Sequence, residues 1–106
     1  NNWSSLLHWS CNIPNTTTDS IIISHQTFYD QANTTLTASL NIVSDILTIM
    51  SGNILTLGSL SNPVVMRIAN GGTLIVQSGA TLIIHGLLYE ALGGNIINYG
   101  TIEVNP

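Results

Sequence analysis

The chain has 106 residues with a formal net charge of −4, and only 6% of them are charged. Lysine is absent and Arg67 is the single strong base, which excludes the clustered cationic surface that nucleic acids require and disfavours anionic membrane surfaces. Mean hydropathy is high at +0.38, yet no uninterrupted apolar run is long enough to span a bilayer.

One domain is expected at this length, with residues 1–20 as a distinct N-terminal cap or arm and 21–106 as a repetitive body. The N-terminal part holds both tryptophans, the cysteine, Pro14 and the polar run Asn15-Thr16-Thr17-Thr18-Asp19-Ser20. Trp3, Leu6, Leu7 and Trp9 make either a short amphipathic turn or an aromatic cap, since one large ring covers much apolar area. Cys11 stands alone, so no disulfide closes within the chain and no thiolate metal site forms from it. It reads as a buried thiol, with an intermolecular bridge as the alternative. No signal peptide is visible; the chain opens on Asn1-Asn2-Trp3, as it would after removal of a leader. Asn12-Ile13-Pro14-Asn15 reads as a turn, the proline holding Ile13 extended.

The regular pattern starts at Ile21-Ile22-Ile23, which reads as a strand buried on both faces. Phe28-Tyr29 is a second short strand, and Asp30-Gln31-Ala32-Asn33 a turn. Thr35-Leu36-Thr37 and Leu40-Asn41-Ile42 alternate, the latter closing a first coil. Asp45 turns the chain into Ile46-Leu47-Thr48-Ile49, and Ser51-Gly52-Asn53 leads to Ile54-Leu55-Thr56-Leu57. Residues 58–63 are a looser corner and 64–68 a third side. The clearest phrase is GGTLIVQSGATLII, residues 71–84, in which Thr73, Leu74 and Val76 recur as Thr81, Leu82 and Ile84. Two strands joined by a glycine turn ordinarily suggest a hairpin. Recurrence of the phrase along the chain points instead to the coils of a solenoid. Residues 85–92 read either as strand and corner or as one helical turn, and 95–98 and 101–104 are the last strands.

Leu47 and Leu74, and Leu55 and Leu82, are each twenty-seven residues apart, while Leu82 and Ile102 are twenty apart. The expected fold is therefore all-β: a single-stranded parallel β-helix, or β-solenoid, of about four irregular coils. Strand alternation turns Leu47, Leu55, Leu74, Leu82, Ile102 and Val104 inward, and Thr48, Thr56, Ile75, Ile83 and Glu103 outward. Ile75 and Ile83 then form an outward apolar patch that needs a cover. The last strand leaves backbone groups unpaired, which invites edge pairing. A head-to-tail contact of that kind does not close and builds a filament; residues 1–20 could equally complete a neighbour by strand addition. Trp3, Leu6, Trp9, Ile75, Ile83, Ile102 and Val104 are the candidate self-assembly residues.

Signals for chemistry are few. His8, His25 and His85 lack metal-motif spacing, and Asp19, Asp30, Asp45, Glu90 and Glu103 fall in no paired-carboxylate motif. There is no GxSxG elbow and no phosphate-loop lysine. No catalytic residue, metal or cofactor is expected. Thr48 and Thr56 begin an outward threonine array of the ice-binding kind, which Ile75, Ile83 and Glu103 interrupt. Trp3, Trp9, Tyr29, Tyr89 and Tyr99 are candidate glycan platforms, the tryptophans reading better as cap or interface anchors.

The opening Trp3-x5-Trp9-Ser10-Cys11-x2-Pro14-x4-Asp19-x-Ile21-x-Ile23, followed by GGTLxV and SGATLxI coils, resembles secreted Bacteroidetes-type β-solenoid surface proteins and adhesins. The likeness covers most of the chain, with Asn12 where that family commonly has glycine. It implies export and a structural or adhesive role. Asp19-Ser20-Ile21 also resembles the short O-glycosylation signal of such bacteria, with Ser20 as the acceptor, and Asn2, Asn15 and Asn33 open N-glycosylation sequons. The function expected is a secreted structural protein at the cell surface, the subunit of an extracellular filament. Its partner is itself, with surface glycans second and neither nucleic acid nor membrane insertion. The alternatives are an adhesin or carbohydrate-binding β-helix module and, behind it, a degenerate polysaccharide-active enzyme.

Overall fold

The computed structural model of the chain describes residues 20–23, 25–30, 33–36 and 38–105. The described part is all-β, with eleven strands and no helix. They are β1 (Ser20–Ile23), β2 (Thr27–Tyr29), β3 (Asn33–Leu36), β4 (Ser39–Ile42), β5 (Asp45–Ile49), β6 (Ile54–Leu57), β7 (Val64–Ile68), β8 (Gly72–Val76), β9 (Thr81–Glu90), β10 (Asn95–Asn98) and β11 (Thr101–Asn105). Every strand pairing is parallel, and each strand pairs with its counterpart one turn of the chain away. The result is a β-solenoid of about four turns with three faces.

The first face stacks β1, β4, β7 and residues 86–90 of β9; the second stacks β2, β5, β8 and β10. The third stacks β3, β6, residues 81–85 of β9, and β11. β9 thus serves two faces, rounding a corner without breaking its strand conformation. Gly86 makes that corner, with φ at 137° and its Cα so close to the rung below that an added Cβ would sit 1.9 Å from the Val64 carbonyl oxygen. No residue with a side chain fits there.

The register follows the spacings in the sequence. Leu47 lies over Leu74, Leu55 over Leu82, and Leu82 over Ile102. Alternation is clear in β7 and β8, where every second residue is buried. Ile21, Leu40 and Met66 form one inward column, Leu36, Leu57 and Ile84 another, all 0–2% exposed. Each such side chain contributes roughly 1.5–3 kcal/mol relative to exposure. Corners are tied between rungs in a repeating way. The residue after each first-face strand donates its N–H to the last carbonyl of the strand below: Val43 to Ile23, Ala69 to Ile42, Ala91 to Ile68. On the second face Met50, Gln77 and Tyr99 do the same to Tyr29, Ile49 and Val76.

Three local expectations change and one open reading is decided. Ile22 is 59% exposed, so β1 is not buried on both faces; the solenoid covers only its inner side. Leu40-Asn41-Ile42 does not close the first rung but opens the second, because β4 stacks on β1. Of the two readings of residues 85–92 the structure has the strand and corner: β9 continues to Glu90, held by pairing with β7. Thr48 stands on the outer side of β5 yet is only 4% exposed, flanked in its column by Phe28 and Ile75.

Candidate assembly interface at the open last rung

The last rung consists of residues 86–90 of β9, β10 and β11. Each is terminal in its face: β10 pairs only with β8, β11 only with β9, and residues 86–90 only with β7. One row of backbone N–H and C=O groups on each strand therefore lacks a ladder partner among the described residues. The rung is held firmly from below. Thr101 donates to the Ala80 carbonyl at 3.1 Å and Gly71 to the Gly93 carbonyl at 3.2 Å, while within the rung Gly100 donates to Asn98 Oδ1 at 3.0 Å.

The two ends of the bore differ. In the first rung Ile21, Ile23, Tyr29 and Leu36 are 0–2% exposed. In the last rung Leu88, Ile96 and Ile102 pack on the core but are only partly buried, and Val104 is 38% exposed. Glu90 and Asn98 continue the inward columns of Ile68 and Val76 and are both exposed. The last rung therefore presents an apolar island with a polar flank. Tyr99, Leu92 and Ile97 extend the exposed apolar surface around it.

Ile102 and Val104 lie in this rung, on β11. Ile75 and Ile83 do not join them or each other. Ile75 is on the second face and Ile83 on the third, each half-buried in a column of its own. The expected shared isoleucine patch is therefore not formed: the eight-residue spacing carries the chain past a corner onto the next face. Thr48 and Thr56 are separated by the same corner. Trp3, Leu6, Trp9 and Cys11 lie outside the described residues. Ser20 begins β1, but its side chain lies outside them too. Leu88 and Ile96 are the residues that sequence reasoning missed. The step of twenty-two residues from Leu74 to Ile96 was the signal for the latter.

Among the described residues no three His, Cys, Asp or Glu side chains gather as metal ligands would. Asp45 sits at a corner with φ at 67°, and Glu103 accepts a hydrogen bond from Asn105 Nδ2 at 3.0 Å. Comparison with family models, with curated proteins and with solved structures finds no match.

Proposed function

We propose that the protein is a secreted structural subunit of an extracellular filament, assembled through the strand edges of its last described rung. The contrast in side-chain cover carries this reading: Ile21, Ile23, Tyr29 and Leu36 of the first described rung are buried, whereas the apolar side chains of the last described rung are half-exposed. Leu88, Ile96, Ile102 and Val104 offer apolar area that one more rung would bury, and three adjacent strand edges offer the hydrogen bonds to position it. Assembly runs by head-to-tail stacking of rungs, by exchange of residues 1–20, or by both. That segment carries Trp3, Leu6 and Trp9 as apolar anchors. A donor from each copy and an acceptor on each copy give a heterologous contact that propagates. A single arginine and no lysine leave few tryptic sites, which suits a location outside the cell.

Negative-stain microscopy of the purified chain tests the proposal. Regular fibres are expected, lost on Ile102→Asp, and lost also on deletion of residues 1–19 where exchange contributes. A chain that stays monomeric at high concentration would sink it. So would a natural continuation of the chain that winds a fifth rung and abolishes the fibres.

A second reading, a carbohydrate-binding β-helix module, is favoured by one observation: Arg67 and Tyr89 are stacked together on an exposed face, with the guanidinium carbon 5.4 Å from the ring centroid.

A further inference from the structure

The outer side of the first face carries one residue per rung in a straight column. Ile22, Asn41, Arg67 and Tyr89 are register partners in succession, so they follow one another at the strand spacing of about 4.8 Å. Beside the column, Ser39 and Val65 are linked by a hydrogen bond from the Val65 N–H to Ser39 Oγ at 3.1 Å. Together with Ile22, Asn41 and Arg67 they line a depression of about 250 Å3.

Three features of this depression ask for a ligand. Arg67 is the only strong base in the chain, and among the described residues it has no ion-pair partner. Tyr89 holds its guanidinium from one side through a cation–π contact, leaving the planar fork of donors for an external acceptor. Asn41 Oδ1 is buried with no hydrogen-bond partner. An unmatched buried oxygen is costly, and the soft terminal torsion of asparagine lets a hydroxyl donor reclaim it. Ile22 and Val65, 59% and 39% exposed, supply apolar contact next to these polar groups.

We infer that this column binds a carboxylate-bearing saccharide, a uronic acid unit in an acidic glycan. The carboxylate pairs with the Arg67 fork, a ring hydroxyl donates to Asn41 Oδ1, and the C–H face of the sugar lies on Ile22 and Val65. Tyr89 is a positioning residue that fixes the guanidinium. A carboxylate alone would satisfy Arg67, but only a ligand that also has hydroxyls and apolar C–H groups answers all three features. The repeat of the column along the solenoid axis suits a linear polymer. The inference rests on the carbohydrate-binding reading and is independent of filament assembly. The net negative charge of the chain opposes an acidic ligand at long range, but physiological salt screens that repulsion beyond about 8 Å.

The test is titration of the 15N-labelled full chain with a galacturonic acid trimer, a galactose trimer and an aspartate tripeptide. Shifts confined to Asn41, Arg67, Tyr89 and their neighbours are expected with the galacturonic acid trimer only. Arg67→Gln is expected to weaken binding about tenfold or more, the loss of a charge-assisted pair, and Arg67→Lys to restore it in part. Tyr89→Leu should weaken it less, with the Arg67 side-chain resonance broadened even without ligand. Equal binding of the neutral trimer, unaffected by Arg67→Gln, would overturn the carboxylate assignment while leaving carbohydrate binding in place. Equal binding of the tripeptide would overturn the saccharide assignment. No shift with any probe would overturn both.

Discussion

Tyr29 and Asn53 clamp two rungs together from opposite directions. The Tyr29 hydroxyl donates to the carbonyl of Ile54 at 2.8 Å, and Asn53 Nδ2 donates to the carbonyl of Tyr29 at 3.1 Å. The ring itself is 0% exposed, so a first-rung side chain crosses from the second face to the start of the third face in the rung above. Tyr29→Phe keeps the ring and removes the hydroxyl bond; it is expected to lower stability by about 1 kcal/mol. Tyr29→Ala also leaves a cavity and should cost about 3–5 kcal/mol. Urea unfolding followed by far-ultraviolet circular dichroism measures both. Equal effects from the two substitutions would mean that the ring contributes nothing.

Glycine substitutions separate crowding from backbone preference. At Gly86 the added methyl would meet the Val64 carbonyl oxygen, whereas at Gly71, with φ at 91°, it would meet nothing within 4 Å. Gly71→Ala should therefore cost only the left-handed backbone term, about 1–2 kcal/mol. Gly86→Ala should cost more than 3 kcal/mol or so, since the β7–β9 ladder must open as well. Comparison of the two urea midpoints checks the ranking. A Gly86→Ala variant as stable as Gly71→Ala would contradict the tight corner.

The column Leu55, Leu82, Ile102 provides a second ranking. Leu82 is 0% exposed with a rung on either side, while Ile102 is only partly buried. Leu82→Ala is expected to cost about 2–5 kcal/mol. Ile102→Ala should cost roughly 1 kcal/mol, because less of its surface leaves water on folding. If the two are measured in the assembled state instead, the Ile102 cost should rise toward the Leu82 value.

Amide hydrogen exchange reads the open end directly. Amides of β8, with strands on both sides, should exchange only on global unfolding. Those of β10 and β11 that point away from β8 and β9 should exchange fast in the monomer and slow in the filament. Fast exchange at these amides in fibres would place the contact elsewhere.

Architecture was largely legible in the sequence, because a solenoid writes its register as a repeat. Leu47, Leu74, Leu55, Leu82 and Ile102 all meet the partners that their spacing assigns. Legibility failed where a corner, not a strand, decided the outcome. Ile75 and Ile83 look like neighbours because they match within one repeated phrase, but the turn at Ser78 and Gly79 sends them to different faces. Residues 85–92 left strand and helical turn open, because a glycine such as Gly86 can interrupt a strand or let it bend onto a second face unbroken. The assembly surface was only half visible. Ile102 and Val104 announced themselves as a terminal strand, whereas Leu88 and Ile96 needed knowledge of which rung is last. The Arg67–Tyr89 pair could not be found by spacing alone, since its members are twenty-two residues apart and the turns of the chain vary in length.

That variation is concentrated where the third face passes to the first. β6 and β7 are separated by residues 58–63, whereas β9 makes the same passage with no intervening residue at all. The longer passage is closed on itself by paired bonds between Ser59 and Asn62, both at 3.1 Å, and its tip, Leu60, is 86% exposed. Foreign peptide spliced between Leu60 and Ser61 would hang outside the stack without shifting any ladder. The molecule thus carries a ready-made display point, and in a polymer of such units the cargo would recur at regular intervals along one ridge.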